Sequence, residues 1–89
     1  MLKITKLHET PSQVLLKLEG KITAQWASLL DGECRVYLRQ CQALRLDCTG
    51  VDFVDAKGVE VLRSLPLDTV TLIGTPAFVA ELLEIGGRS

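Results

Sequence analysis

The stretch "DCTGVDFVDAKGVEVL", Asp47–Leu62, decides how the chain reads. Just before it, Leu44, Leu46 and Cys48 alternate with Arg45 and Asp47, the two-residue period of a strand with one buried face. The alternation then gives way to Asp47, Asp52 and Asp55 interleaved with Gly50 and Gly58, and a helical pattern starts at once. Asp55 stands where an N-cap belongs, and its carboxylate can accept the free N–H of Lys57 or Gly58. Gly50 lets the connection bend, and Gly58 leaves room for close backbone approach in the first helical turn. Phe53 and Val54, between two acids, are either core anchors or exposed contacts. Free N–H groups make this helix start mildly attractive to anions. Lys57 is the odd residue, because a cation in the first turn opposes the helix dipole by about 0.3–1 kcal/mol. Either that cost is tolerated or the charge has a partner.

Working outward, Leu2, Ile4 and Lys6 share one face of a first strand, with His8 at its end near the surface. Residues 9–13, "ETPSQ", form a turn. Val14, Leu16 and Leu18 make a second strand, antiparallel to the first across that short connection, and Gly20 ends it. Thr23 caps a helix whose buried face carries Trp26, Leu29, Leu30, Cys34, Tyr37, Leu38 and Cys41, with Trp26 its largest core anchor or a contact residue. Gly32 inside it costs about 1 kcal/mol relative to Ala. After the third strand and the junction, Val59, Leu62 and Leu65 line a second helix that stops at Pro66. Val70 and Leu72 mark a fourth strand closed by Gly74. Thr75-Pro76 starts a last helix with Phe78, Val79, Leu82 and Leu83 as its buried stripe and Gly86 as its stop. The order is β-β-α-β-α-β-α. Right-handed crossovers then give a small α/β domain over residues 1–89, a mixed sheet with helices mainly on one face. The strands alternate instead of running apolar throughout, so the other sheet face is open.

Composition narrows the function. The 89 residues are 47% hydrophobic but only 4% aromatic, so the core is aliphatic. Ten basic and eleven acidic residues, without a basic cluster, exclude a nucleic-acid binder. No apolar run is long enough to span a membrane, and the charged, alternating N-terminus is not a signal peptide, so the expected location is cytoplasmic. Cys34, Cys41 and Cys48, seven apart and far from the single histidine, read as structural thiols and not as metal ligands. Asp47, Asp52 and Asp55 lie close together in sequence but lack the third group that would define catalysis, and the acids beside Cys48 work against a reactive thiolate. No catalytic residue, metal or cofactor is expected, and the chain reads as a non-enzyme.

"LRLDCTGVDFVDAKGVEVLRSL", Leu44–Leu65, resembles the signature of STAS domains, the anti-sigma factor antagonists and their relatives in transporters and stressosomes. "LLKLEGKIT", Leu15–Thr23, and "LIGTPAFVAELLEIGG" are similar to that family's second strand and closing strand and helix. The resemblance implies the same mixed-sheet fold. It also implies function by docking, in bacterial signalling and transcription regulation, on an anti-sigma factor kinase through the helix start after the third strand. In the family, the residue after the aspartate is a phosphorylated Ser or Thr that breaks docking. Here that slot is Ala56, followed by Lys57, and the acid common after the second strand is Thr23. The expectation is therefore a protein-interaction module that docks through residues 50–62, with Asp52, Phe53, Asp55, Ala56, Lys57, Gly58 and Val59 as the partner-binding residues and no phospho-switch. Thr49 is the loop's remaining hydroxyl, and Thr23 and Ser28 are the nearest others. Two alternatives stand beside it: a cytoplasmic accessory subunit docking the ATPase of a lipid-type ABC transporter, and a small-ligand or nucleotide binder. An uncovered sheet face or an edge strand also leaves a homodimer open.

Overall fold

A computed structural model describes residues 1–40, 42–66 and 68–87. The strands are β1 (Leu2–Glu9), β2 (Gln13–Ile22), β3 (Ala43–Val54) and β4 (Val70–Ile73); the helices are α1 (Ala24–Arg39), α2 (Ala56–Ser64) and α3 (Ala77–Gly87). The element order is the expected one. The sheet order is β1-β2-β3-β4, with β1 antiparallel to β2 and the other two pairs parallel. This matches the crossover argument, since each parallel step carries one helix between its strands.

One sheet face is dry. Val14, Leu16 and Leu18 of β2 meet Leu44, Leu46 and Cys48 of β3, all essentially inaccessible, under Ala27, Leu30 and Cys34 of α1 and Val61 and Leu62 of α2. The opposite face carries Lys3, Thr5, Lys17, Glu19, Arg45 and Asp47. The register sets Lys3 beside Glu19 and Lys17 beside Asp47. Opposite charges on neighbouring strands suit a solvated face. No helix among the described residues is long and apolar enough to cross a membrane.

Several local expectations are corrected. Gly20 does not end β2, which continues to Ile22. With φ at +104° it sits inside the strand, where a Cβ would stand 2.5 Å from the Met1 carbonyl oxygen. That carbonyl accepts the Lys21 N–H at 2.8 Å, so the close approach is part of the β1–β2 ladder. Trp26 is only half-buried against the core; the largest fully buried side chains are aliphatic, Leu16, Leu18, Ile22, Leu30, Leu44 and Leu46. Leu29 is exposed on α1, and Phe78 and Leu82 are exposed on α3, leaving Val79 and Leu83 to pack inward. On α2 the buried residues are Gly58, Val61 and Leu62, with Val59 half-buried. The stop expected at Gly86 falls within α3. Cys34 and Cys48 are buried as free thiols; Cys41 lies outside the described residues.

Candidate functional site

The third strand does not stop where its alternation stops. β3 carries twelve residues opposite the ten of β2. The register steps from Lys17–Asp47 to Glu19–Gly50 and again from Gly20–Val51 to Lys21–Phe53. Thr49 and Asp52 are therefore extra residues, one in each of two β-bulges. Burial follows: Cys48, Val51 and Val54 point inward while Thr49, Gly50, Asp52 and Phe53 are exposed. The sequence pattern thus changes period from two to three within one continuous strand. Ile22 and Val54 pair on the buried side, so Lys21 and Phe53, the pair before them, lie on the open face.

Asp55 follows directly and caps α2, its Oδ1 accepting the Gly58 N–H at 2.8 Å. Its other oxygen, Oδ2, accepts the Ala24 N–H at 3.0 Å. One carboxylate thus holds the starts of both α1 and α2. Thr23 does occupy the N-cap position of α1, but its hydroxyl makes no capping hydrogen bond. Ala24 sits at φ +40°, a conformation that costs a non-glycine residue about 1–2 kcal/mol. The Ala24 N–H bond to Asp55 ties that turn to the start of α2, and the Trp26 N–H closes it on the Thr23 carbonyl at 2.8 Å. The Gly58 and then the Ala24 N–H groups favour the ionised form and keep the Asp55 carboxyl below its ordinary value. Behind it, the Asp55 N–H donates to the Ile22 carbonyl at 3.2 Å. Gly58 packs so closely that a Cβ would lie 2.4 Å from the same oxygen.

The expected site residues therefore divide by role. Ala56 and Lys57 are exposed on the first turn of α2, and Asp52 and Phe53 are exposed on the bulged end of β3. Asp55 organises both, and Gly58 is buried as the packing point beneath them. Lys57 lies 3.7 Å from Glu60, with side chains 47% and 73% exposed, an ion pair worth little in water. Two residues escaped the sequence reading. Ala24 enters because Asp55 reaches across from 31 residues away. Lys21 enters because its ammonium lies 3.4 Å from Asp52 and 5.9 Å from the centre of the Phe53 ring. The one hydroxyl of the segment, on Thr49, donates to Asp47 at 2.7 Å, and that bond holds the Asp47 carboxyl below its ordinary value.

Burial disfavours the thiolate at both buried cysteines: burial first, then nearby Asp31, pushes Cys34 up to about 12, and burial first, then Asp47, pushes Cys48 up to about 11. Among the described residues no cluster of three or more His, Cys, Asp or Glu could hold a metal ion.

A four-stranded mixed sheet backed by helices, with a capped helix start displayed beside a bulged strand, defines a small α/β domain of the anti-sigma factor antagonist fold. The solved structure of the anti-sigma factor antagonist SpoIIAA in its unphosphorylated form superposes with a TM-score of 0.72, over 94% of this chain and 84% of that one, at 13% sequence identity. The chain belongs to the STAS_2 family, described as "Mlab, STAS domain", whose model matches residues 5–88. Among curated proteins, none matches the chain.

Proposed function

We propose that the chain is a non-catalytic docking domain that engages a protein partner through the 50–62 segment, without a phosphate switch at the helix start. The observation that carries this reading is the first turn of α2: exposed, hydroxyl-free at Ala56, and cationic at Lys57. A phosphate there would bring about −1.5 to −2 charges; Lys57 brings the opposite sign. Thr49 is a poor substitute acceptor, since its hydroxyl is committed to the Asp47 carboxylate. In this reading the protein works in the bacterial cytoplasm, its partner is an ATPase-fold protein of the anti-sigma factor kinase type, and docking is governed by abundance or by modification elsewhere. The missing acceptor favours a second reading as well, a cytoplasmic accessory subunit of a lipid-type ABC transporter, where no phospho-switch is called for.

The test is affinity capture with the wild-type chain and with Ala56→Asp, a change on an exposed position. The captured partner is lost with Ala56→Asp if docking uses this turn, and kept if it does not. A partner whose affinity depends on bound nucleotide and which brings a permease with it selects the transporter reading. Stoichiometric phosphate on residues 47–58 after incubation with an anti-sigma kinase overturns the switch-free reading.

A further inference from the structure

The start of α1 leaves its local cap unused and relies on a distant one. Thr23 stands at the N-cap in extended backbone, φ −131° and ψ 147°, yet its hydroxyl makes no capping hydrogen bond. The Ala24 N–H instead goes to Asp55 Oδ2 at 3.0 Å, across 31 residues of sequence. In that position Ala24 sits at φ +40°, the one positive-φ residue other than glycine among the described residues. For an alanine this is a separate basin, less stable than the ordinary helical and extended ones. Its strain and the strength of one hydrogen bond to a charged group are of similar size, so neither position of the turn wins by much.

The surroundings limit how far the turn can move. On one side the Ile22 carbonyl accepts the Asp55 N–H at 3.2 Å and is packed beneath Gly58, where a Cβ would stand 2.4 Å from it. On the other side Ala27, Leu30 and Cys34 are fully buried. Between these fixed points Ala24 and Gln25 are exposed, and Thr23 and Trp26 are half-buried. Asp55 reaches the segment with the oxygen that α2 does not use: Oδ1 caps Gly58 at 2.8 Å, and Oδ2 is left for Ala24.

We propose that Thr23–Trp26 is a two-position latch set by the Asp55 carboxylate. In the latched position, the one described above, Oδ2 holds the Ala24 N–H and Ala24 stays at positive φ. In the released position Ala24 drops to an ordinary negative φ, the Thr23 hydroxyl caps the N–H of Gln25 or Trp26, and the Trp26 ring shifts on its half-buried seat. A cation laid on Asp55, or a displacement of the first turn of α2, takes Oδ2 away and releases the latch. Contact at one helix start is then transmitted to the other. The latch belongs to the chain alone; only its use as a relay rests on the docking reading above.

The experiment needs no partner. Asparagine at position 55 keeps one acceptor oxygen and carries an NH2 in place of the other, so Asp55→Asn still caps α2 and cannot also hold Ala24. NMR and amide exchange of the isotope-labelled full chain, with the fluorescence of Trp26, the only tryptophan, read both helix starts. Asp55→Asn should raise the exchange rate of the Ala24 amide about tenfold, shift the resonances of Gln25, Trp26 and Ala27 and move the Trp26 emission, while Gly58 and Val59 keep their protection. Adding Ala24→Gly, which takes positive φ without strain, should return those resonances and the emission toward wild type. Thr23→Val should be silent by itself, because the hydroxyl makes no capping bond in the latched position. In the Asp55→Asn background it removes the released-state cap and should raise exchange at Trp26 by about threefold. Unchanged exchange at Ala24 in Asp55→Asn, equal disturbance of Gly58 and Val59, no recovery with Ala24→Gly, or no effect of Thr23→Val in the Asp55→Asn background overturns the proposal. Should Asp55→Asn not fold, Ala24→Gly in the otherwise wild-type chain decides: exchange of that amide slows by about threefold if strain is stored there, and an unchanged rate sinks the latch. Wild-type exchange in Asp55→Asn together with partner capture lost in Ala56→Asp leaves the docking reading standing and this inference alone fallen.

Discussion

Replacing Gly58 by alanine adds one methyl group at the point where α2 is pressed against the end of β2. The added Cβ would stand 2.4 Å from the Ile22 carbonyl oxygen, 2.6 Å from Val54 Cγ1 and 3.0 Å from Ile22 Cγ2. Ordinary carbon–oxygen contacts begin near ~3.3 Å, so the oxygen must retreat by about 1 Å. It cannot do so freely, because it accepts the Asp55 N–H, and Asp55 in turn holds the starts of α1 and α2. Overpacking a tight site costs about 1–3 kcal/mol, and a weakened hydrogen bond adds about 0.5–1.5 kcal/mol. Alanine returns about 1 kcal/mol through its better helix propensity. The balance is a loss of about 2 kcal/mol, or a melting temperature lower by roughly 8–16 °C in a domain of this size. Gly32→Ala is the matched control. A Cβ at Gly32 meets nothing within 4 Å, so only the propensity gain remains, and that variant should melt roughly 4–8 °C higher. Thermal and urea unfolding followed by far-UV circular dichroism reads both. Gly58→Ala as stable as wild type would refute the packing argument, and a destabilised Gly32→Ala would refute the open-space argument.

Gly20→Ala places a side chain at φ +104° and a Cβ against the Met1 carbonyl, and should lower the urea midpoint by the equivalent of about 1–2 kcal/mol. Cys34 and Cys48, with thiols pushed up to about 12 and about 11, should resist alkylation at pH 8 and react only on unfolding, read residue by residue by mass spectrometry. Rapid native labelling of either would contradict their burial. The carboxyls of Glu9, Asp47 and Asp55 are held below their ordinary values of 4.5 for Glu and 3.8 for Asp, so in that range the unfolded chain binds more protons. Their stabilisation is complete above those values and is lost as pH falls through the folded ones. Chemical unfolding across this acid limb should show a shallower fall for Asp55→Asn than for wild type; an identical slope would remove Asp55 from the account.

The element order and the cap at Asp55 were legible because both are local. Alternation, helical spacing and a carboxylate three residues before a glycine need no knowledge of the rest of the chain. What was hidden depends on distant segments. The second hydrogen bond of Asp55 goes to Ala24, and nothing near either residue announces it. The run after Cys48 read as a strand that had stopped, because a change of burial period from two to three looks the same as lost alternation; only pairing with β2 shows a bulged strand instead. Nothing in the sequence singles out Lys21 for the same reason, since its meeting with Phe53 is a matter of register. Leu29, Phe78 and Leu82 face outward although their spacing places them on the buried stripe, because a wide apolar helical stripe does not say which of its edges the sheet covers.

The two bulges in β3 have a consequence for how such a surface can change. Thr49 and Asp52 are surplus to the ladder: neither has a register partner, and the residues beyond each keep their inward or outward sense because the step takes up the extra length. Losing either one would return that part of β3 to plain alternation and leave Val51 and Val54 facing the core. The exposed lip can therefore gain or lose a residue at two points while the hydrophobic register of the sheet stays fixed. Scaffold and surface are separable at the strand end, so short insertions and deletions there can reshape the exposed lip with the core left as it is.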